Sequence, residues 1–192
     1  MPLTITHAFV PIAAALAIPR RPIPRRLLAA AVLAAMAPDL DGLMRPLLGV
    51  ARDSIYGHRG FSHSLFVALA FGALAAACHR QLKVRPLAAA VVVAASMASH
   101  GLMDMMTNSG KPVAYLWPLT SLRMFADWRP FPGTPHAPSF LREVSSRVSP
   151  EIVHILLPLF GAALLVRGCA MAFGKTPGAS DRHCPQENDT RG

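Results

Sequence analysis

The ionisable residues of this sequence fall in short groups whose types and spacing suit divalent-metal binding. His100 and Asp104 stand four apart, so on a helix both side chains leave one face, where an imidazole and a carboxylate can share an ion. Asp39 and Asp41 lie in Pro38-Asp39-Leu40-Asp41-Gly42, a turn-forming stretch from which either carboxylate can project. His58 and His63 are roughly 140° apart around an ideal helix, so they meet only if His58 stands in a loop, which Gly57 and Gly60 allow. Ser62 is placed to cap the helix that follows. His7 and the pair Glu151/His154 complete the set. Each group alone has a plainer reading. The Asp pair can be a helix stop, His63 a packing residue, His7 an interfacial histidine, and Glu151 a first-turn carboxylate favoured by the helix dipole. The argument for metal rests on the set together, because Zn²⁺ accepts such N and O ligands at about 2.0–2.2 Å.

The elements that must position these residues are apolar helices. Of 192 residues, 53% are hydrophobic and 15% charged, against about 25% charged in an average soluble domain. Mean hydropathy is +0.38. Five apolar runs cover about 3–18, 26–38, 61–78, 87–106 and 152–173. The first two are short beside the ~20 residues a bilayer core needs. Alanine dominates runs two to four, and small residues allow close helix–helix approach in lipid. The predicted fold class is therefore all-α, a polytopic membrane helix bundle with about five transmembrane helices. If the helices alternate in direction, His7, Asp39, Asp41, His58, His63, His100, Asp104, Glu151 and His154 all reach one membrane face. Ionisable groups at membrane depth are costly and usually functional.

The basic clusters Arg20 to Arg26 and Arg80 to Arg85 fall at the other face, which the positive-inside rule makes cytoplasmic. Net charge is +9, and its short clusters between apolar runs point to membrane lipids as partners, with no nucleic acid expected. Residues 111–150 carry Pro112, Pro118, Pro130, Pro132, Pro135 and Pro138, a density that excludes regular helix. Tyr115, Trp117 and Trp128 in that loop suit a membrane–water interface. Residues 1–175 are read as one membrane-embedded domain and the polar stretch 176–192 as a disordered tail. Cys78, Cys169 and Cys184 form no disulfide or CxxC pattern. His79, His136 and His183 are not assigned to the site.

Four segments together carry a family resemblance: Thr6-His7, Ala37-Pro38-Asp39-Leu40-Asp41, His58-Arg59-Gly60-Phe61-Ser62-His63-Ser64, and Ser99-His100 followed by Asp104. In that order they resemble the YdjM-like bacterial inner-membrane proteins, which are regarded as metal-dependent hydrolases. That family is in turn distantly similar to the zinc-dependent phospholipase C and single-strand nuclease superfamily. The resemblance implies His7, Asp39 or Asp41, His63 or His58, His100 and Asp104 as metal ligands. The later His-x-x-x-Glu pair of the superfamily has no counterpart here, which favours one or two ions over three.

The expected function is a metal-dependent hydrolase of the bacterial inner membrane, with Zn²⁺ the expected divalent ion, acting on a phosphodiester or lipid-type substrate. In that scheme the metal activates water. Asp39 or Asp41 serves as general base, and Arg59 holds a phosphate oxygen. The alternatives are a transporter that uses the His/Asp set as an ion pathway, or a non-catalytic membrane protein that binds a partner through its loops. Neither the HExxH of a metalloprotease nor the GxSxG of a serine hydrolase occurs.

Overall fold

The computed structural model describes residues 3–18, 23–51, 53–131 and 150–173. Arg20, Arg21, Arg52, Pro132, Pro135, His136, Pro138, His183, Cys184 and the polar tail lie outside the described residues.

Alanine-rich and leucine-rich stretches with no competing turn residues form helices, and five apolar ones make the bundle. Helix α1 (Thr4–Ala17) is followed by α2 (Arg25–Met36), which runs on through a tight 3₁₀ segment (Ala37–Leu43) into α3 (Met44–Leu48). A 3₁₀ turn (Phe61–His63) leads into α4 (Leu65–Ala77), and a short α5 (His79–Leu82) leads into α6 (Pro86–Met105). The last helix starts with a wide π turn (Ile152–Leu156) and continues as α7 (Leu157–Ala172). Among the described residues there is no strand, and the chain after α6 makes only two isolated bridges, Thr107 with Phe131 and Val113 with Met124.

Three helical stretches, Arg25–Leu48, Pro86–Met105 and Ile152–Ala172, are long and apolar enough to cross a bilayer. Helices α1 and α4 are apolar but shorter, at 14 and 13 residues. Two expectations need correction. The second run does not stop at Pro38, because a proline at the first or second position of a 3₁₀ segment gives up only an N–H that has no essential partner there. The third helix of the bundle, α4, begins at Leu65, four residues later than the hydropathy suggests. Ser64 caps it, its Oγ accepting from Val67 N at 3.2 Å, in the role expected of Ser62.

Helix α6 is the centre. It packs on α4, α2 and α1, while α1 bridges α2 and α7. The buried contact between α2, α4 and α6 is made by Leu27, Ala34, Ala68, Ala75, Ala89, Val93 and Met97. With so many alanines the helix axes come close, and Gly72 of α4 lies at a tight contact with α6. A Cβ there would stand 2.8 Å from both Ala90 O and Ala94 Cβ of α6. Helix α7 turns most of its surface outward, with Leu157, Leu164, Leu165 and Val166 exposed, as a lipid-facing helix must. At one end of the bundle Arg26 Nη1 donates to Gln81 O at 3.1 Å, which joins the two basic loops.

Replacing Gly72 with Val forces α4 and α6 apart. The expected cost is on the order of 1–3 kcal/mol, seen as a lower midpoint of thermal unfolding in detergent. An unchanged midpoint would contradict this packing.

Candidate metal centre

The other end of the bundle holds the polar cluster, and each of its members is placed by a local feature of the sequence. His100 lies in the last turns of α6 and is fully buried. Its Nδ1 meets Ala35 O at 2.7 Å. Pro38, three residues on, has no N–H to compete for that carbonyl. A proton on Nδ1 leaves the Nε2 lone pair facing inward, the usual way a protein fixes the tautomer of a ligating histidine. His63 is arranged the same way, with Nδ1 3.1 Å from Asp41 Oδ2. The two Nε2 atoms face each other at 3.2 Å.

Two carboxylates complete this inner group. Asp39 Oδ1 stands 3.3 Å from His100 Nε2 and 3.8 Å from His63 Nε2. Asp104 Oδ2 stands 3.9 Å from His100 Nε2 and 3.5 Å from His63 Nε2. Both oxygens are buried and have no hydrogen-bond donor among the described residues. Their partner oxygens are held: Thr4 Oγ1 donates to Asp39 Oδ2 at 2.6 Å, and Arg59 Nη2 donates to Asp104 Oδ1 at 2.8 Å. Asp39, His63, His100 and Asp104 thus present four ligand atoms within 4.8 Å of one another. Two orphaned carboxylate oxygens and two inward lone pairs are what a divalent cation needs, and unmade bonds of this kind are costly if nothing fills them. The residues therefore fit a metal ion such as Zn²⁺.

The electrostatics agree. His63 lies in the turn ahead of α4; burial alone would lower its pKa, but the facing carboxylates of Asp104, Asp39 and Asp41 outweigh burial and push it up to about 10. The carboxylates draw a positive charge to this spot.

A second ring surrounds the inner four. Asp41 accepts from Arg59 N at 3.2 Å and from Ser62 Oγ, and its Oδ1 lies 2.6 Å from His58 Nδ1. His58 stands in the turn, as the glycines allow, and its side chain is 31% exposed where the rest of the cluster is buried. Asp41, His58 and His63 form a second group close enough to hold an ion. His7 stacks on His100 with ring centroids 3.7 Å apart and reaches Asp104 Oδ1 only at 4.0 Å. It flanks the inner four, and its buried Nδ1 has no partner among the described residues.

Arg59, expected to hold a phosphate oxygen, is engaged within the protein. It is fully buried, at a φ of 64° unusual for a side chain other than glycine. Its guanidinium meets Asp104, Thr107 Oγ1, and the carbonyls of Ser109 and Lys111 at 2.6–3.4 Å. Its role here is to hold Asp104. Two glycines make the turn possible. A Cβ at Gly60 would fall 1.9 Å from Ile55 O, and one at Gly101 of α6 would fall 2.5 Å from His63 O.

Glu151 is also buried, but it serves α1 instead of the cluster. It accepts from Leu3 N at 2.8 Å and from Thr6 Oγ1. His154 sits on the surface against Pro150 O at 2.9 Å, away from the site. Sequence reasoning missed Thr4, although its spacing of three from His7 puts both on one helix face. It also missed Tyr115, whose ring covers Gly101 and whose pKa burial raises. Nothing local to Tyr115 signals that contact. A cavity of about 490 Å³ opens beside the cluster, lined by Thr4, Asp39, Asp41, His58, Arg45 and Lys111 among others.

Fold and site together define a helical integral membrane protein with a buried carboxylate–histidine cluster at one end of its bundle. Residues 1–175 match the family described as YdjM inner membrane protein. The chain is also 39% identical over 138 residues to the Inner membrane protein YbcI of Escherichia coli (strain K12), covering 71% of this chain and 79% of that protein. No solved structure matches it. The chain belongs to the YdjM inner membrane protein family, and its place is the inner membrane.

Replacing Arg59 with Met leaves Asp104 buried without its cation. The expected loss is about 3–5 kcal/mol in denaturant unfolding in detergent. Adding Asp104→Asn should recover part of it, as coupled neighbours do. Fully additive losses would show that the two do not act as a pair.

Proposed function

We propose that this protein is a membrane-bound metal-dependent hydrolase acting on a phosphodiester or lipid-type substrate. The observation that carries the reading is the group of four inward-facing ligand atoms, two of them orphaned carboxylate oxygens. Asp39, His63, His100 and Asp104 would hold the ion. When bound, it supplies Lewis acidity, polarising the scissile group and acidifying water. The position of the cluster favours hydrolysis over ion passage, since its members lie at helix ends and in the turns between helices, beside an open cavity.

The chain's own residues supply proton handling. Asp41 already faces His58, Arg59 N, Ser62 and His63, so it suits orientation better than proton abstraction. His58 suits the base. With Nδ1–H held by Asp41, its Nε2 is an acceptor on the one partly exposed imidazole of the cluster, at the cavity wall. Asp39, with one oxygen on Thr4 and the other facing the ion position, serves as a ligand.

The test is metal content by elemental analysis of purified protein, followed by hydrolysis of a chromogenic phosphodiester. Wild type should carry one or two divalent ions, and His100→Ala and Asp104→Ala should lose them. His58→Gln should keep an ion at the inner four yet lower kcat by roughly 10²–10⁴-fold, the usual weight of a general base. A wild type purified without chelator that holds no divalent metal sinks the reading. A His58→Gln enzyme with full kcat removes the base assignment alone.

A further inference from the structure

The cavity beside the cluster has a second wall that the hydrolase reading does not use. Arg45 of α3 lines it together with Pro46, Val50, Gly110 and Lys111. Lys111 is paired with Asp53. Arg45 is exposed, and among the described residues its side chain has no ion pair and no hydrogen bond. The charges of the inner site balance without it. The three carboxylates of Asp39, Asp41 and Asp104 are matched by the guanidinium of Arg59 and one divalent ion, which leaves Arg45 as an uncompensated cation facing the cavity. The segment that carries Arg45 is otherwise apolar outward: Leu40, Leu43, Leu47 and Leu48 are 63%, 53%, 74% and 70% exposed. In an inner-membrane protein such leucines meet acyl chains, and a guanidinium among them meets headgroup phosphate.

We propose that Arg45 is the phosphate-binding residue of the site, and that the ligand it admits is an anionic membrane phospholipid. The headgroup phosphate sits between Arg45 and the metal cluster, and the acyl chains lie along Leu43, Leu47 and Leu48. This rests on the metal-dependent reading above and adds the substrate class to it. Arginine suits the task because its planar fork binds two phosphate oxygens at once. The lipid enters sideways from the bilayer along α3, so the headgroup need not leave the membrane surface to reach the cluster.

The experiment is calorimetric titration of full-length, Zn²⁺-loaded protein in detergent, with metal content measured on the same samples. The probes are dihexanoyl phosphatidylglycerol and inorganic phosphate. Wild type should bind the lipid at least about 10-fold more tightly than inorganic phosphate. Arg45→Gln should weaken lipid binding about 10-fold with its metal unchanged, the weight of a charge-assisted hydrogen bond. Arg80→Gln, at the far end of the bundle, should bind as wild type does. Unchanged lipid affinity in metal-loaded Arg45→Gln overturns the proposal, and so does an equal affinity for inorganic phosphate, which would make the free anion the ligand. Absence of metal from wild type instead sinks the hydrolase reading, so the two failures are distinguishable.

Discussion

Three carboxylates buried at one end of a membrane bundle must be compensated, and much of the local structure follows from that constraint. A carboxylate away from water is tolerable only with a cation or several donors around it. Asp104 has Arg59, whose guanidinium meets it at 2.8 Å. Asp41 has four polar neighbours. Asp39 has Thr4 on one oxygen and two imidazoles near the other. The helices supply these partners by ending where they do: α1 brings Thr4 and His7, the break after α2 brings both aspartates, and the turn before α4 brings His58, Arg59 and His63.

The bundle that holds the cluster is made of small residues, and this couples packing to the site. Gly72 and the alanines around Val93 and Met97 let α4 lie close along α6. One turn beyond that seam the same closeness places His63 O over Gly101. The imidazoles of His63 and His100 therefore meet because two backbones touch. A larger residue at either glycine would act on the cluster through the helix positions, with no polar contact altered.

Sequence reasoning reached the parts of this arrangement that periodicity and alternation control. Five apolar runs, and the same-face pair His100 and Asp104, follow from counting residues and from alternating helix direction. Convergence of Asp39 and His63 with them follows from the same topology. Reasoning of this kind fails where a side chain's partner is set by a turn. Ser62 and Ser64 are equally good caps by type, and only the path of the chain gives the cap to Ser64 and turns Ser62 to Asp41. Arg59 reads as a residue for a phosphate oxygen because nothing in its neighbours announces that Asp104, 45 positions away, will pair with it in the interior. Glu151 and His154 share a helix start, yet one turns inward to α1 and the other outward. Hydropathy is blind to that difference.

The polar groups also differ in depth, and depth separates the tasks they can perform. His63, His100 and Asp104 are buried, and together with Asp39, which also lines the cavity, they present four ligand atoms to one point. Asp41 is buried as well and is surrounded by polar neighbours. His58 is partly exposed on the cavity wall. Arg45 is outermost, on a segment whose other side chains are leucines. A group placed deeper than its task requires would incur desolvation for nothing, and one placed shallower would be screened by water. Exposure rises from the buried His63, His100 and Asp104 to His58 and Arg45 at the cavity wall. An ion pathway would need polar groups to continue through the bundle toward the basic loops. Here the core between α2, α4 and α6 continues instead as Leu27, Ala34, Ala68, Ala75 and Ala89.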